Sequence, residues 1–403
     1  MQGLRPVACW NITCSITGMK RFPYGRSLSE LFGLPFCLFL TFGFLQPTRA
    51  NQTPRMPPRA STPADPALAN LTEALPMLDD KTRRGLALQV ALDRAGFSPG
   101  ELDGAPGTNT DRAMAAFKTA KGTTELGDVY LNPVGTYVIS EDDTAGPFIE
   151  RVPDDMMEKS KLPALAYTSV LELLAERFHS SPKLLQRLNP SAKFERGELI
   201  VVPNVEPFIA PGLKTAQQQT DAVAARPSNA TPLVPPSSPS AGRPAGTAND
   251  VARTSATGQR AAVKPPGGPF TIIVTDRTKT LQVENASGEV VMHAPVTDGS
   301  ENDPLPIGEW KVNGVSRNPV FNYNPKLFWD ADASHAKARI PAGPNSPVGV
   351  VWIDLSKDHY GIHGTPEPSR IGYTESHGCI RLTNWDAMRL ADLVSAGTKV
   401  ILR

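Results

Sequence analysis

The chain has 403 residues, enough for two or three domains, and its 41 lysines and arginines balance 40 aspartates and glutamates. That near-neutrality argues against nucleic acid as the partner, because neutralising phosphates favours a basic surface. Proline is abundant at 40 residues and gathers outside the segments with a hydrophobic period, which predicts long linkers.

Residues 1–50 have the layout of a secretory signal, with the true start expected at Met19. Met19-Lys20-Arg21 and Arg26 are basic, Leu31 to Leu45 is almost wholly apolar, and Thr48-Arg49-Ala50 offers small residues for cleavage. The apolar run is short for a membrane span and is broken by Pro35; an uncleaved anchor is the alternative. Cys9, Cys14 and Cys37 lie in this leader, so cleavage leaves Cys379 alone and excludes a disulfide within the mature chain. A single cysteine kept in an oxidising compartment points to chemistry, and the pattern predicts a periplasmic protein.

Residues 51–65 are rich in Pro, Thr and Ala and are expected to be disordered. Over 66–125, Leu88, Ala91, Leu92 and Ala95 recur at helical spacing, with a stop at Gly96-Phe97. Asp103-Gly104 and Gly107 mark turns, and Asn109 or Thr110 is the expected cap of a second helix carrying Ala113, Phe117 and Ala120. These residues resemble the small helical peptidoglycan-binding repeat; a helical hairpin that only packs is the alternative. Residues 126–164 are read as a connector.

In 165–205, Leu171, Leu174 and Ala175 predict one short helix. Leu184, Leu185 and Leu188 predict another, ended by Asn189-Pro190, and Leu199 to Pro203 a strand. The order resembles a small α/β LysM module, a family that holds glycan chains. Thr168-Ser169-Val170-Leu171 lacks the Gly-Asp turn of that family, which marks the module as degenerate. Residues 206–268 follow as a linker rich in Pro, Ser and Ala, including Pro235-Pro236 and Lys264-Pro265-Pro266. Its reach would let a catalytic domain search a meshwork while an accessory unit stays attached.

Residues 269–403 carry many short β-rich runs: 270–274, 280–283, 290–294, 308–315, 350–355 and 398–402. One helix interrupts them, capped by Thr383 with Asp386 three residues on and covered by Trp385, Met388, Leu390 and Leu393. The whole is therefore expected to be multidomain, with a mainly-β catalytic domain built as a β-sandwich or partly closed barrel.

The chemistry concentrates in Tyr360-Gly361-Ile362-His363-Gly364-Thr365 and Ser376-His377-Gly378-Cys379-Ile380-Arg381. A free thiol, with a pKa of about 8.5, needs a base or a positive field to act as a nucleophile near pH 7. His377 lies two residues from Cys379, where its ring is poorly aimed at the sulfur, whereas His363 arrives from a separate strand end. The expected roles are Cys379 as nucleophile, His363 as general base and acid, and His377 as a positioning or electrostatic group. The Gly364 carbonyl would fix the imidazole tautomer, and backbone N–H groups at Gly378 and Cys379 would form an oxyanion hole. Zinc ligation by His363, His377 and Cys379 is an alternative, with no HExxH or paired-cysteine spacing behind it. His179, His293, His335 and His359 are assigned no catalysis, and Tyr360 and Trp329 are candidates for the cleft wall.

His363-Gly364-Thr365 and Ser376-His377-Gly378-Cys379-Ile380-Arg381-Leu382 resemble the active-site signature of the L,D-transpeptidases (YkuD family). Pro306-Ile307-Gly308-Glu309-Trp310, Ile340-Pro341-Ala342-Gly343-Pro344 and Trp352-Ile353-Asp354-Leu355 add to the likeness, which covers about 270–403. The arginine at 381 resembles the Gram-negative branch, where other members have asparagine. The resemblance implies a cysteine acyl-enzyme, a tetrapeptide stem of peptidoglycan as donor, and release of D-alanine. Transfer then goes to an amine, either another stem to give a 3→3 cross-link or an outer-membrane protein. Arg381, Ser376 and Tyr360 are the expected substrate contacts, and no cofactor or metal is implied. A hydrolase using the same site, such as an L,D-carboxypeptidase, and a non-catalytic wall-binding scaffold are the alternatives.

Overall fold

The computed structural model describes residues 78–127, 132–212 and 269–403. The predicted leader, the 51–65 segment and most of the 206–268 linker lie outside the described residues. Helix α1 (Asp80–Arg94) is capped by the Asp79 carboxylate on Thr82 N–H, and α2 (Thr108–Lys121) closes on Gly122 in the left-handed region. The start of α2 corrects the expected cap: Gly107 holds that position, and Asn109 and Thr110 lie inside the helix. Asn109 instead donates to the Ile371 carbonyl at 2.8 Å.

Strand β1 (Val134–Val138) lies where a connector was expected. After the short helices α3 (Glu141–Thr144) and α4 (Met156–Lys159) come α5 (Val170–Arg177), α6 (Pro182–Leu188) and β2 (Leu199–Pro203). β1 and β2 pair antiparallel along their full length, from Val134↔Pro203 to Val138↔Leu199. Glycine and threonine inside β1 weaken its local strand signal; the partner sixty-odd residues away supplies what propensity does not.

The C-terminal part contains β3 (Thr271–Thr275), β4 (Thr280–Glu284), β5 (Val290–Pro295), β6 (Gly308–Arg317), β7 (Phe321–Tyr323), β8 (Ala338–Ile340) and β9 (Val351–Leu355). Then follow β10 (Gly361–His363), β11 (Ile380–Arg381), α7 (Asn384–Leu393) and β12 (Lys399–Leu402). Eight strands form one curled mixed sheet in the order β11-β10-β9-β6-β12-β3-β4-β5, while β7 and β8 form a separate hairpin. A second sheet stacked face to face is absent among the described residues, so a part-closed barrel describes the domain better than a sandwich. Alternation sets the faces: Val351, Ile353 and Leu355 are buried, while Trp352 and Asp354 point the other way. The core joins Ile272, Val283, Met292, Ile353, Ile362, Ile380 and Val400 to Trp385 and Leu390 of α7.

The N-terminal elements share that core rather than standing apart. Leu86, Leu102, Leu174 and Ile200 belong to the same cluster as the sheet interior. Phe97 bridges β5 at His293, with Ser98 N–H donating to the His293 carbonyl at 2.9 Å and His293 N–H to the Gly96 carbonyl at 2.9 Å. The outer strand of the sheet is thereby covered, which removes an exposed edge. On α7, His179 stacks on Trp385 at 5.1 Å, and Ser98 donates to Asp386 at 2.8 Å. Leu165 is stitched to the 342–345 loop by hydrogen bonds of 3.0 and 2.9 Å. α7 is thus held between the catalytic sheet and the N-terminal elements, next to the strands that carry the site.

Candidate active site

Parallel pairing of β10 with β11 puts Ile362 opposite Ile380 and His363 opposite Arg381. Cys379, one residue before β11, therefore falls level with Gly361. Residues two apart on paired strands share a face, so the register brings Cys379, Arg381 and His363 to one side of the sheet. The intervening chain needs a sharp reversal before Cys379, and Gly378 supplies it at φ +94°. A Cβ on Gly378 would sit 2.7 Å from the Tyr360 ring, so that ring packs directly on the backbone beside the cysteine.

Cys379 is partly exposed. Its Sγ lies 3.8 Å from the His359 carbonyl oxygen. Burial among neighbouring atoms pushes the thiol pKa up, while the Gly361 N–H and the Arg381 guanidinium oppose the shift. His363 is 4% exposed and its Nδ1 is 2.7 Å from the Gly364 carbonyl. A carbonyl only accepts, so Nδ1 carries the proton and Nε2 is left with its lone pair. Trp352 stacks on the imidazole at 5.4 Å and 15°, which fixes the ring plane. Burial, followed by the Arg381 charge, drops the His363 pKa to about 3. Thiol and imidazole are therefore both neutral at rest, and they make no direct hydrogen bond to each other in this state.

His377 is placed differently. Its Nε2 pairs with Asp330 at 2.8 Å, and its ring packs on Phe328 and Trp329 at 5.1 and 5.8 Å. The residue anchors the segment between β7 and β8 over the Cys379 turn. Ser376, an expected substrate contact, is buried, and its hydroxyl donates to the Cys379 carbonyl at 2.6 Å. The backbone N–H groups of His377, Gly378 and Cys379 are spent on no acceptor among the described residues. Arg381 forms no ion pair there either, and its Nε has no partner. Three amides and a guanidinium are thus available around one sulfur.

Three other histidines are occupied elsewhere. His179 pairs with Asp93 at 3.1 Å, His335 with Asp155 at 2.8 Å, and His293 is buried on Phe97. No group of three or more His, Cys, Asp or Glu side chains gathers as a metal site among the described residues. Sequence reasoning missed Asp330, Glu176 and Asn384. Phe328-Trp329-Asp330, an acid beside two aromatics, was the available signal for the first; nothing local marked the others.

Comparison with known proteins gives a consistent result for this region. The model of the YkuD L,D-transpeptidase catalytic domain matches residues 270–402. A Bacillus subtilis protein bearing the name L,D-transpeptidase YkuD is 33% identical over 134 residues, covering 33% of this chain and 66% of its own length. Its Bacillus licheniformis namesake is 54% identical over 132 residues, covering 33% and 64%. A Bacillus subtilis protein bearing the name L,D-transpeptidase YqjB is 31% identical over 143 residues, covering 34% and 72%. The chain thus spans slightly under two thirds of the first two relatives and more than two thirds of the third.

Proposed function

We propose that this chain, which belongs to the L,D-transpeptidase family through residues 270–402, forms a cysteine acyl-enzyme with a tetrapeptide stem of peptidoglycan. The observation that carries the reading is Cys379 on the same sheet face as His363, beside three unspent backbone amides. The thiol proton passes to His363 Nε2 as sulfur attacks the carbonyl of the third stem residue, and the amides receive the oxyanion. With a raised thiol pKa and a depressed imidazole pKa, transfer accompanies attack rather than preceding it as a stored ion pair. The C–N bond breaks, the imidazolium returns its proton to the leaving amine of D-alanine, and a thioester remains. An acceptor amine then attacks the thioester, loses its proton to His363, and restores the thiol as the new amide forms. Arg381, unpaired beside the sulfur, is suited to hold a substrate carboxylate.

An exported, periplasmic location belongs to the same proposal, as does wall binding by the N-terminal elements. The leader pattern supports the first, and the likeness of residues 66–125 to the peptidoglycan-binding repeat supports the second. Incubation with purified tetrapeptide muropeptides tests the activity. Cross-linked dimers with free D-alanine support transfer, tripeptide monomers assign the site to hydrolysis, and unchanged substrate overturns the acyl-enzyme reading.

A further inference from the structure

Beside the catalytic loop lies a cleft of about 610 Å³, walled by α5 and its approach on one side and by Pro366–Arg370 on the other. That volume suits a small ligand or a peptide side chain with its flanking backbone. Four carboxylates line it, Glu101, Glu172, Glu176 and Glu367, against the single guanidinium of Arg370. Arg370 is already paired with Glu367 at 3.3 Å. Glu101, Glu172 and Glu176 have no cationic partner among the described residues, and Glu101 makes no hydrogen bond there. Burial raises the pKa of Glu101 and of Glu176 to about 7, so each anion lacks the compensation that a nearby positive charge would give. A second observation is independent of charge: Ser180 lines the same cleft, is 2% exposed, and its hydroxyl has no partner.

Glu172 accepts from Thr168 and Asn345, and Glu176 from Tyr167 and Asn384, all neutral donors. Carboxylates without a countercharge, beside a buried hydroxyl that has no partner, match a group with one positive charge and several donors, which is a primary ammonium. A neutral sugar needs no such concentration of anions. The cleft wall begins three residues after His363, and the Glu367 charge is felt by Arg381. We propose that this cleft is a docking subsite for a peptide-borne primary ammonium group, held beside the catalytic loop and separate from the amine that attacks the thioester. The inference rests on the acyl-transfer reading above for its biological meaning, but the binding itself does not.

Isothermal titration of the full chain with Nα-acetyl-L-lysine amide tests it, with the Nε-acetylated, uncharged form as control. Saturable binding by the ammonium form, weakened about tenfold or more in Glu101→Gln and in Ser180→Ala, is the expected result. No saturable binding, equal binding of the neutral form, or equal affinity in both variants overturns the subsite. Melting curves verify that each variant is folded; if one is not, Glu172→Gln takes its place under the same criteria. Acylation of wild-type Cys379 by a carbapenem, measured in parallel, separates the two readings. Its failure overturns the acyl-enzyme, whereas failed titration with normal acylation overturns only the subsite.

Discussion

Glu176 Oε1 accepts a hydrogen bond from Asn384 Nδ2 at 2.7 Å, joining an N-terminal helix to the first turn of α7. Asn384 Oδ1 in turn accepts from Val350 N–H at 3.1 Å, and a Cβ on Gly364 would lie 2.1 Å from that oxygen. The amide is therefore packed on the backbone whose carbonyl fixes His363 Nδ1. The chain of contacts runs from an accessory helix to the catalytic imidazole through one buried side chain.

Glu176→Leu removes the acceptor of the buried Tyr167 hydroxyl and one of the two acceptors of Asn384 Nδ2, which keeps the Pro344 carbonyl at 3.2 Å, at a cost of about 1–3 kcal/mol in stability. It is expected to slow Cys379 acylation roughly tenfold, while Glu176→Gln, which keeps an acceptor, stays near wild type. Ser98→Ala removes another buried hydrogen bond of the same interface without touching Asn384. Acylation rates for the three variants, set against their melting temperatures, decide the point. Equal slowing in Ser98→Ala at equal loss of stability assigns Glu176 a structural role only.

The two site histidines should separate. His363→Ala removes the proton acceptor and is expected to lower single-turnover acylation by about 10²–10⁴-fold. His377→Ala frees Asp330 and the aromatic segment over the turn, which should raise the donor concentration needed for half-maximal rate more than it lowers the limiting rate. Saturation kinetics of acylation distinguish these patterns, and a larger limiting-rate loss for His377→Ala would reverse the assignment.

Arg381 makes a third prediction. If its guanidinium holds a substrate carboxylate, Arg381→Ala weakens use of a carboxylated donor by tenfold or more but changes alkylation of Cys379 by iodoacetamide only a little. Equal losses in both assays would mean that the arginine supports the local structure instead.

Stability should depend on pH in a defined sense. His293, 1% exposed, is held by burial at a pKa of about 4, and His363 at about 3. An unfolded histidine titrates near 6.5, so below that pH the unfolded chain binds more protons and folding stability falls. The loss continues until pH reaches the folded values, about 4 and 3. Glu101 and Glu176, raised to about 7, act oppositely, since their contribution is lost as pH rises from 4.5 toward 7. His293→Phe, which keeps the stacking on Phe97, should therefore reduce the stability lost between pH 7 and pH 4 by on the order of 3 kcal/mol. Denaturant unfolding at the two pH values measures the difference; an unchanged gap contradicts it.

Much of the catalytic domain was legible because its strands alternate strongly and its helix is locally capped. Thr280–Glu284, Val290–Pro295 and Lys399–Leu402 lie close to where periodicity put them, and Thr383 caps α7 as expected. β1 was not legible, since Gly135 and Thr136 dilute its pattern and only pairing with β2 defines it. The docking of the N-terminal elements on the sheet was also hidden. Single buried contacts such as Ser98 with Asp386 join residues 288 positions apart and leave no periodic trace. At the site, the glycine and histidine spacing announced Cys379 and His363, but Glu176 and Asn384 are ordinary residues until the fold makes them neighbours.

Intact-mass spectrometry of the full chain after exposure to a carbapenem, with the adduct mapped by peptide digestion, tests the Cys379 acyl-enzyme most directly. A single adduct on Cys379, absent in Cys379→Ala and formed at least a hundredfold more slowly in His363→Ala, is predicted. An adduct elsewhere, none at all, or an undiminished rate without the His363 imidazole would contradict it.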